Sequence, residues 1–524
     1  ESPTGLSGAR GLDGCVERKE VRPRRDTGDD LGDLVNVAGL RLELEDHATG
    51  LLHPLEDHPH LLGAGLLDAE APGQGEAHAP VAGLIIGAGQ GQVAQAGPDL
   101  QVMFIEQAAA QSANPLSAEN SDPRNLGWMT GFPPPPDKLI MQPESDFFSF
   151  PKLRWTVCHI RELMPTKLVN RAIGPSIPLE QVTDDGIDAV TFTPMGGEQP
   201  MTWHESLSAN YTDGILILHK GIVVYEKYYG CLDETGKHAA MSMTKSITGL
   251  LAEILVVEGR LDDQAKVSSI VPELKGSAFG SATVRQVMDM TTALDYSEDY
   301  SDPKADIWVY SRAASPLPKP KDYEGPNGYF EYLQTVKQDG VHGKAFGYRT
   351  INTDALGWII SRVTGKDLAH LLSELIWSKM SAEQDGYMTV DAKGTPFAGG
   401  GLSAGMRDLG RIGQLMLNGG QINGQRLFPK EVVENIRAGG DKNAFAKAGY
   451  NTLKGGSYRS MWWIFHNKHG AFAARGVHGQ TIYVDPTAEM VIVRFASYPT
   501  AKNAQIDPTS LPAFQAVAEY LMTE

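Results

Sequence analysis

The aromatic residues divide this chain in two. All 41 Phe, Trp and Tyr residues lie at Phe104 or beyond, and no aromatic precedes it. Aromatic side chains supply much of the area that a core buries, so the N-terminal segment lacks the material for a normal interior while the rest of the chain has it. Residues 1–102 also hold 17 acidic against 7 basic residues, which is −10 of the formal −18. Their abundance of Gly, Pro, His and Leu, as in 53–83, is the composition of a segment that does not fold alone. His53, His58 and His60 sit close in sequence, but their spacing fits no ligand pattern and Pro59 interrupts it, so no metal site is expected. We read residues 1–102 as a disordered or non-native extension and Met103 as the natural start. The stretch that follows, MFIEQAAAQSANPLSAENS, lacks the basic and apolar regions of a secretion signal.

An overall charge of −18 excludes a nucleic-acid partner, which would need clustered Lys and Arg. No run of about 18 apolar residues occurs, so no membrane span is expected. Cys15, Cys158 and Cys231 lie far apart, which predicts neither a disulfide framework nor a metal site. A reducing, cytoplasmic location follows from that reading.

Beyond a proline-rich stretch at 132–139, periodicity becomes informative. Residues 214–230 are two apolar runs around His219-Lys220-Gly221, and 481–499 is a second such pair; both predict hairpins. Apolar residues at helical spacing predict helices over 246–258, 281–292, 353–365, 407–420 and the closing 511–524. Strands at both ends with helices between them predict a sheet domain (201–250 and 421–524), a helical domain inserted into it (251–420), and an arm (103–200) packed on the core.

A serine three residues before a lysine occurs at Ser149/Lys152, Ser242/Lys245 and Ser301/Lys304. Only Ser242 directly precedes an apolar helical run; the other two pairs enclose a proline. At a helix start, Ser242 and Lys245 share one face a turn apart, near the positive end of the helix dipole. A serine there is also an ordinary helix cap. As a nucleophile it needs a base, and Lys245 can serve only if burial keeps it partly neutral. Tyr348, ahead of the 353–365 helix, can relay protons if its pKa is lowered.

Taken in order, SMTK, EGRLDDQAKVSSIVPEL (258–274), DYSEDYSDP (295–303), YRTINTDALGWIISRVTG, FAGGGLSAGMRDLGRIG (397–413) and GVHGQTIYVDP (476–486) resemble the serine β-lactamase and penicillin-binding-protein superfamily. Within it they are similar to the class C-type branch, to 6-aminohexanoate-dimer hydrolases and to family VIII carboxylesterases. The resemblance covers roughly 127–520. It implies a serine β-lactamase-like fold, α/β plus all-α, with an antiparallel sheet domain, flanking helices and an inserted helical domain. It also implies Ser242 as nucleophile, Lys245 as base, Tyr348 as relay, and an oxyanion hole from the backbone N–H groups of Ser242 and Val477. The family's Lys-Thr-Gly or His-Thr-Gly box becomes Ala474-Arg475-Gly476, so the lysine and threonine that hold a β-lactam carboxylate are missing. Substrate-binding positions fall on Tyr300, Trp308, Ser311, Gly399 and His478. The activity implied is hydrolysis of short esters or small linear amides through an acyl-enzyme, without metal or organic cofactor, with a homodimer open. The alternatives are a weak β-lactamase, a D-aminopeptidase-like enzyme, or a non-catalytic penicillin-binding sensor.

Overall fold

In the computed structural model, which describes residues 115–141, 146–300 and 302–523, the apolar runs around Lys220-Gly221 pair as an antiparallel hairpin. Both turn residues have positive φ (51° and 85°), the geometry in which a two-residue turn follows the twist of its strands. The expectations for residues 1–102, for the histidines within them, for Met103 as the start, for the arm before residue 115 and for Ser301 lie outside the described residues.

Strands β1 (Thr166–Val169), β2 (Thr212–His219), β3 (Ile222–Tyr228), β4 (His238–Ala239), β5 (Gly386–Thr389), β6 (Leu402–Ala404), β7 (Ser457–Arg459), β8 (Trp462–Ile464), β9 (Phe472–Arg475), β10 (Thr481–Asp485) and β11 (Met490–Ala496) build two antiparallel sheets. The larger runs β7-β8-β9-β10-β11-β2-β3, so the two predicted hairpins, β2/β3 and β10/β11, meet along the β11/β2 edge. The smaller runs β1-β5-β6-β4.

Successive residues of a strand face opposite sides, and here both sides are covered. Ile215, Ile217 and Ile492 pack with Phe514, Val517 and Leu521 of the closing helix, Asp507–Leu521. Leu216, Leu218, Ile482 and Val491 face the interior that includes Leu409 and Ile412 of the Met406–Leu417 helix. That two-sided burial explains why β2 and β11 read as continuous apolar runs.

Between β3 and β7 the chain carries several helices, but β5 and β6 also lie within 251–420 and join β4 and β1 in the smaller sheet, so that segment is not the purely helical insertion expected from the sequence. Helix α1 (Met243–Val257) is buried from Met243 through Leu255, because it runs through the interior. Gly249 permits this: a Cβ there would lie 2.0 Å from the Ser460 carbonyl oxygen. Helix α2 (Asp306–Ala314) and helix α3 (Ile351–Thr364, closed by Gly365 at φ 70°) pack in the same core. The helix expected over 281–292 is shorter, Val284–Met288; Thr283 and Gln286 cap it, and the chain turns at Met290 with φ 51°.

The cysteine reading requires correction. Cys158 and Cys231, 73 positions apart, form a disulfide. Distance along the chain carried no information about their proximity in the fold, and the cysteine argument for a reducing compartment goes with it. Among the described residues, no helix is long and apolar enough to cross a membrane.

Candidate active site

The β4 strand pairs with β6 through Ala239 and Ser403, and the chain then turns at Met241 with φ 46° to deliver Ser242 to the start of α1. A left-handed conformation in a non-glycine residue is strained backbone of the kind found at functional sites. Ser242 makes no side-chain capping bond. Its Oγ instead accepts a hydrogen bond from Lys245 Nζ at 2.9 Å, and the same nitrogen donates to the Gly399 carbonyl oxygen at 2.6 Å. Lys245 is 1% exposed. Burial pushes its ammonium from 10.5 down to about 8, against the opposing pull of Glu298 and Asp354. The neutral amine is thus more accessible near neutral pH than in a solvent-exposed lysine.

The Tyr348 side chain neighbours Ser242, whose hydroxyl acts to lower the phenol's pKa. Its ring stacks on Trp463 at 5.6 Å, and Lys245 Nζ lies 5.2 Å from the ring centroid. The phenol is not acidified as the sequence reading required. Burial pushes its pKa well up, outweighing the nearby Ser242 hydroxyl and the Arg475 guanidinium, so Tyr348 is a neutral hydroxyl.

Two carboxylates near this pair were not singled out from the sequence. Glu298 accepts from the Tyr300 hydroxyl at 2.8 Å and from the Thr350 amide and hydroxyl, each at 2.5 Å. Asp354, on α3, accepts from the Tyr310 hydroxyl at 2.6 Å, and burial pushes its carboxyl up to about 7. Both lie inside quoted motifs, but no spacing rule says that they turn toward Lys245.

Across the site, Gly476 ends β9 hard against the serine: a Cβ there would be 2.9 Å from both the Ser242 amide nitrogen and the Ala240 carbonyl oxygen. Val477 follows and lines a cleft of about 560 Å³ with Tyr300, Tyr348 and Trp463. Among the described residues, no acceptor takes the backbone N–H of Ser242 or Val477. Arg475 also lines the cleft, ion-paired with Asp507 and lying over the Trp463 ring at 5.4 Å.

The expected substrate-binding residues separate. Tyr300 is in the cleft, with Trp308 edge-on to it at 6.0 Å. Gly399 offers its carbonyl to Lys245. Ser311 lines a different cavity, and its hydroxyl donates to the Ile307 carbonyl at 2.7 Å. His478 is not among the cleft-lining residues: with φ 63° its ring turns inward, where Nδ1 lies 2.7 Å from the Tyr498 carbonyl oxygen. Burial pushes that imidazole down to about 4, so it is neutral. The rival Ser149 and Lys152 both bind Asp146 instead of each other. Among the described residues, no group of His, Cys, Asp or Glu side chains is placed to hold a metal ion.

Comparison with known proteins adds to this geometry. Residues 211–511 match the Beta-lactamase family. A 6-aminohexanoate-dimer hydrolase of Paenarthrobacter ureafaciens is 37% identical over 350 residues, covering 67% of this chain and 86% of that protein. A solved structure from Bacillus anthracis, also described as a 6-aminohexanoate-dimer hydrolase, is 32% identical with a TM-score of 0.65, covering 72% of this chain and 96% of that one.

Proposed function

The chain belongs to the β-lactamase family, and on that premise we propose that it is a serine hydrolase that opens short esters or small linear amides through an acyl-enzyme on Ser242. The observation that carries this reading is the 2.9 Å bond between a buried, weakly basic Lys245 and the Ser242 hydroxyl. The neutral fraction of Lys245 takes the hydroxyl proton as Oγ attacks the carbonyl carbon. The oxyanion that develops is met by the N–H groups of Ser242 and Val477, fixed in place before the reaction begins. On collapse, the proton on Lys245 passes through the neutral Tyr348 hydroxyl to the leaving nitrogen or oxygen. Water then enters, gives a proton to the same pair, and attacks the acyl carbon, restoring Ser242 and releasing the acid.

The names of the relatives put 6-aminohexanoyl amides among the amide substrates to be tested. A β-lactamase, D-aminopeptidase or penicillin-sensor reading is less supported. Ala474 and Arg475 stand where the family's carboxylate-holding lysine and threonine are expected, and the Arg475 guanidinium is already engaged by Asp507. Incubation with p-nitrophenyl acetate and with nitrocefin, each followed by intact mass measurement, tests the assignment. Sustained ester turnover supports the hydrolase; a stable adduct without turnover supports the sensor.

A further inference from the structure

A second cavity, of about 180 Å³, touches the reactive segment from another side. Met241, which precedes Ser242, forms part of its wall, as does Gly400, which follows the Gly399 carbonyl bound by Lys245. Phe148, Phe397 and Ala314 supply apolar surface. None of the described residues lining it carries a carboxylate, ammonium, guanidinium or imidazole. Two of its hydroxyls have acceptors at hand, Ser311 donating to the Ile307 carbonyl at 2.7 Å and Tyr310 to Asp354 at 2.6 Å, while the buried Ser403 Oγ has no hydrogen-bond partner among the described residues.

An alkyl chain entering such a space gains by leaving water. An ammonium entering it would lose its hydration with no anion to replace it. We infer that this cavity receives the acyl group of the substrate, and that the group is a neutral alkyl chain in place of the ω-ammonium chain of a 6-aminohexanoyl donor. The inference rests on the Ser242 hydrolase reading and narrows it. The leaving group stays in the Tyr300/Tyr348 cleft, where the proton relay ends.

The test uses p-nitrophenyl esters of acetate, butyrate, hexanoate and 6-aminohexanoate on the full chain and on Ser311→Asp. For the unmodified protein, kcat/KM should rise roughly fourfold per added methylene up to hexanoyl, the gain from burying one CH2. The 6-aminohexanoyl ester should fall at least about tenfold below the hexanoyl ester. Ser311→Asp, which places a carboxylate in the cavity, should shrink or reverse that ratio. Ala314→Leu, which fills part of the cavity, should cut hexanoyl turnover more than acetyl turnover. A flat chain-length series, or equal use of the charged and neutral six-carbon esters, would overturn the inference even if neither variant folds. Ser242→Ala separates the two layers: retained turnover defeats the hydrolase reading itself, whereas lost turnover with a flat series defeats the acyl-cavity inference alone.

Discussion

Lys245 Nζ lies 2.9 Å from Ser242 Oγ while the Gly399 carbonyl oxygen, 2.6 Å away, holds the same nitrogen from a second direction. The amine is therefore held from two directions, and in the proposed mechanism its protonation state decides whether the serine can react.

That dependence predicts the pH profile. Lys245 works as a base only when deprotonated, and burial holds its pKa near about 8. The kcat/KM should therefore rise with pH through this region and level off above it. Glu298 favours the ammonium form, so Glu298→Gln should move the rise to lower pH. A profile flat from pH 6 to 9 would remove Lys245 from the base role.

Tyr348 and Lys245 act as one proton path in this account, so their losses should not add. Lys245→Ala and Tyr348→Phe should each lower kcat by roughly two to four orders of magnitude, the range for a positioned acid–base group, and the double variant should be little worse than either. An amide nitrogen must be protonated to depart, whereas p-nitrophenolate leaves unaided. Tyr348→Phe should thus harm amides more than activated esters. Rates near those of the unmodified protein on both substrates would make the tyrosine a packing residue against Trp463.

Gly476→Ala tests the close approach of β9 to the serine. The added methyl would sit 2.9 Å from the Ser242 amide nitrogen and 2.9 Å from the Ala240 carbonyl oxygen, which must move the two N–H donors apart. A loss of about a hundredfold or more in kcat is expected, comparable to removing one oxyanion donor, with Tm changed far less than in Gly249→Ala, whose methyl meets the Ser460 carbonyl oxygen at 2.0 Å inside the core.

The disulfide predicts a thermal consequence. Linking positions 73 residues apart restricts the unfolded chain, a contribution of about 2–4 kcal/mol. Dithiothreitol, or Cys158→Ser with Cys231→Ser, should lower Tm by several degrees. No change in Tm, together with free thiols at both positions, would contradict the bond.

What the sequence made legible was local. The turn at Lys220-Gly221 and the apolar run of α1 are set by neighbours in the chain, and both were readable from periodicity. Ser242 stood out because its helix followed at once. Glu298, Asp354 and the Cys158–Cys231 bond were not readable, because each depends on segments that meet only in the folded interior. His478 was misread for a related reason: its motif position was plain, but its side-chain direction follows a positive φ that nothing in the letters announces. The raised pKa of Tyr348 likewise comes from the rings packed around it.

The most direct test of the central claim is intact mass and peptide mapping of protein acid-quenched during p-nitrophenyl acetate turnover. The account predicts one acetyl group, located on the peptide containing Ser242, that disappears as substrate is exhausted and never forms in Ser242→Ala, whose Tm stays within a few degrees of the parent because one hydroxyl at a helix start contributes about 1 kcal/mol. An acetyl group on another residue, or full turnover by Ser242→Ala, would contradict it.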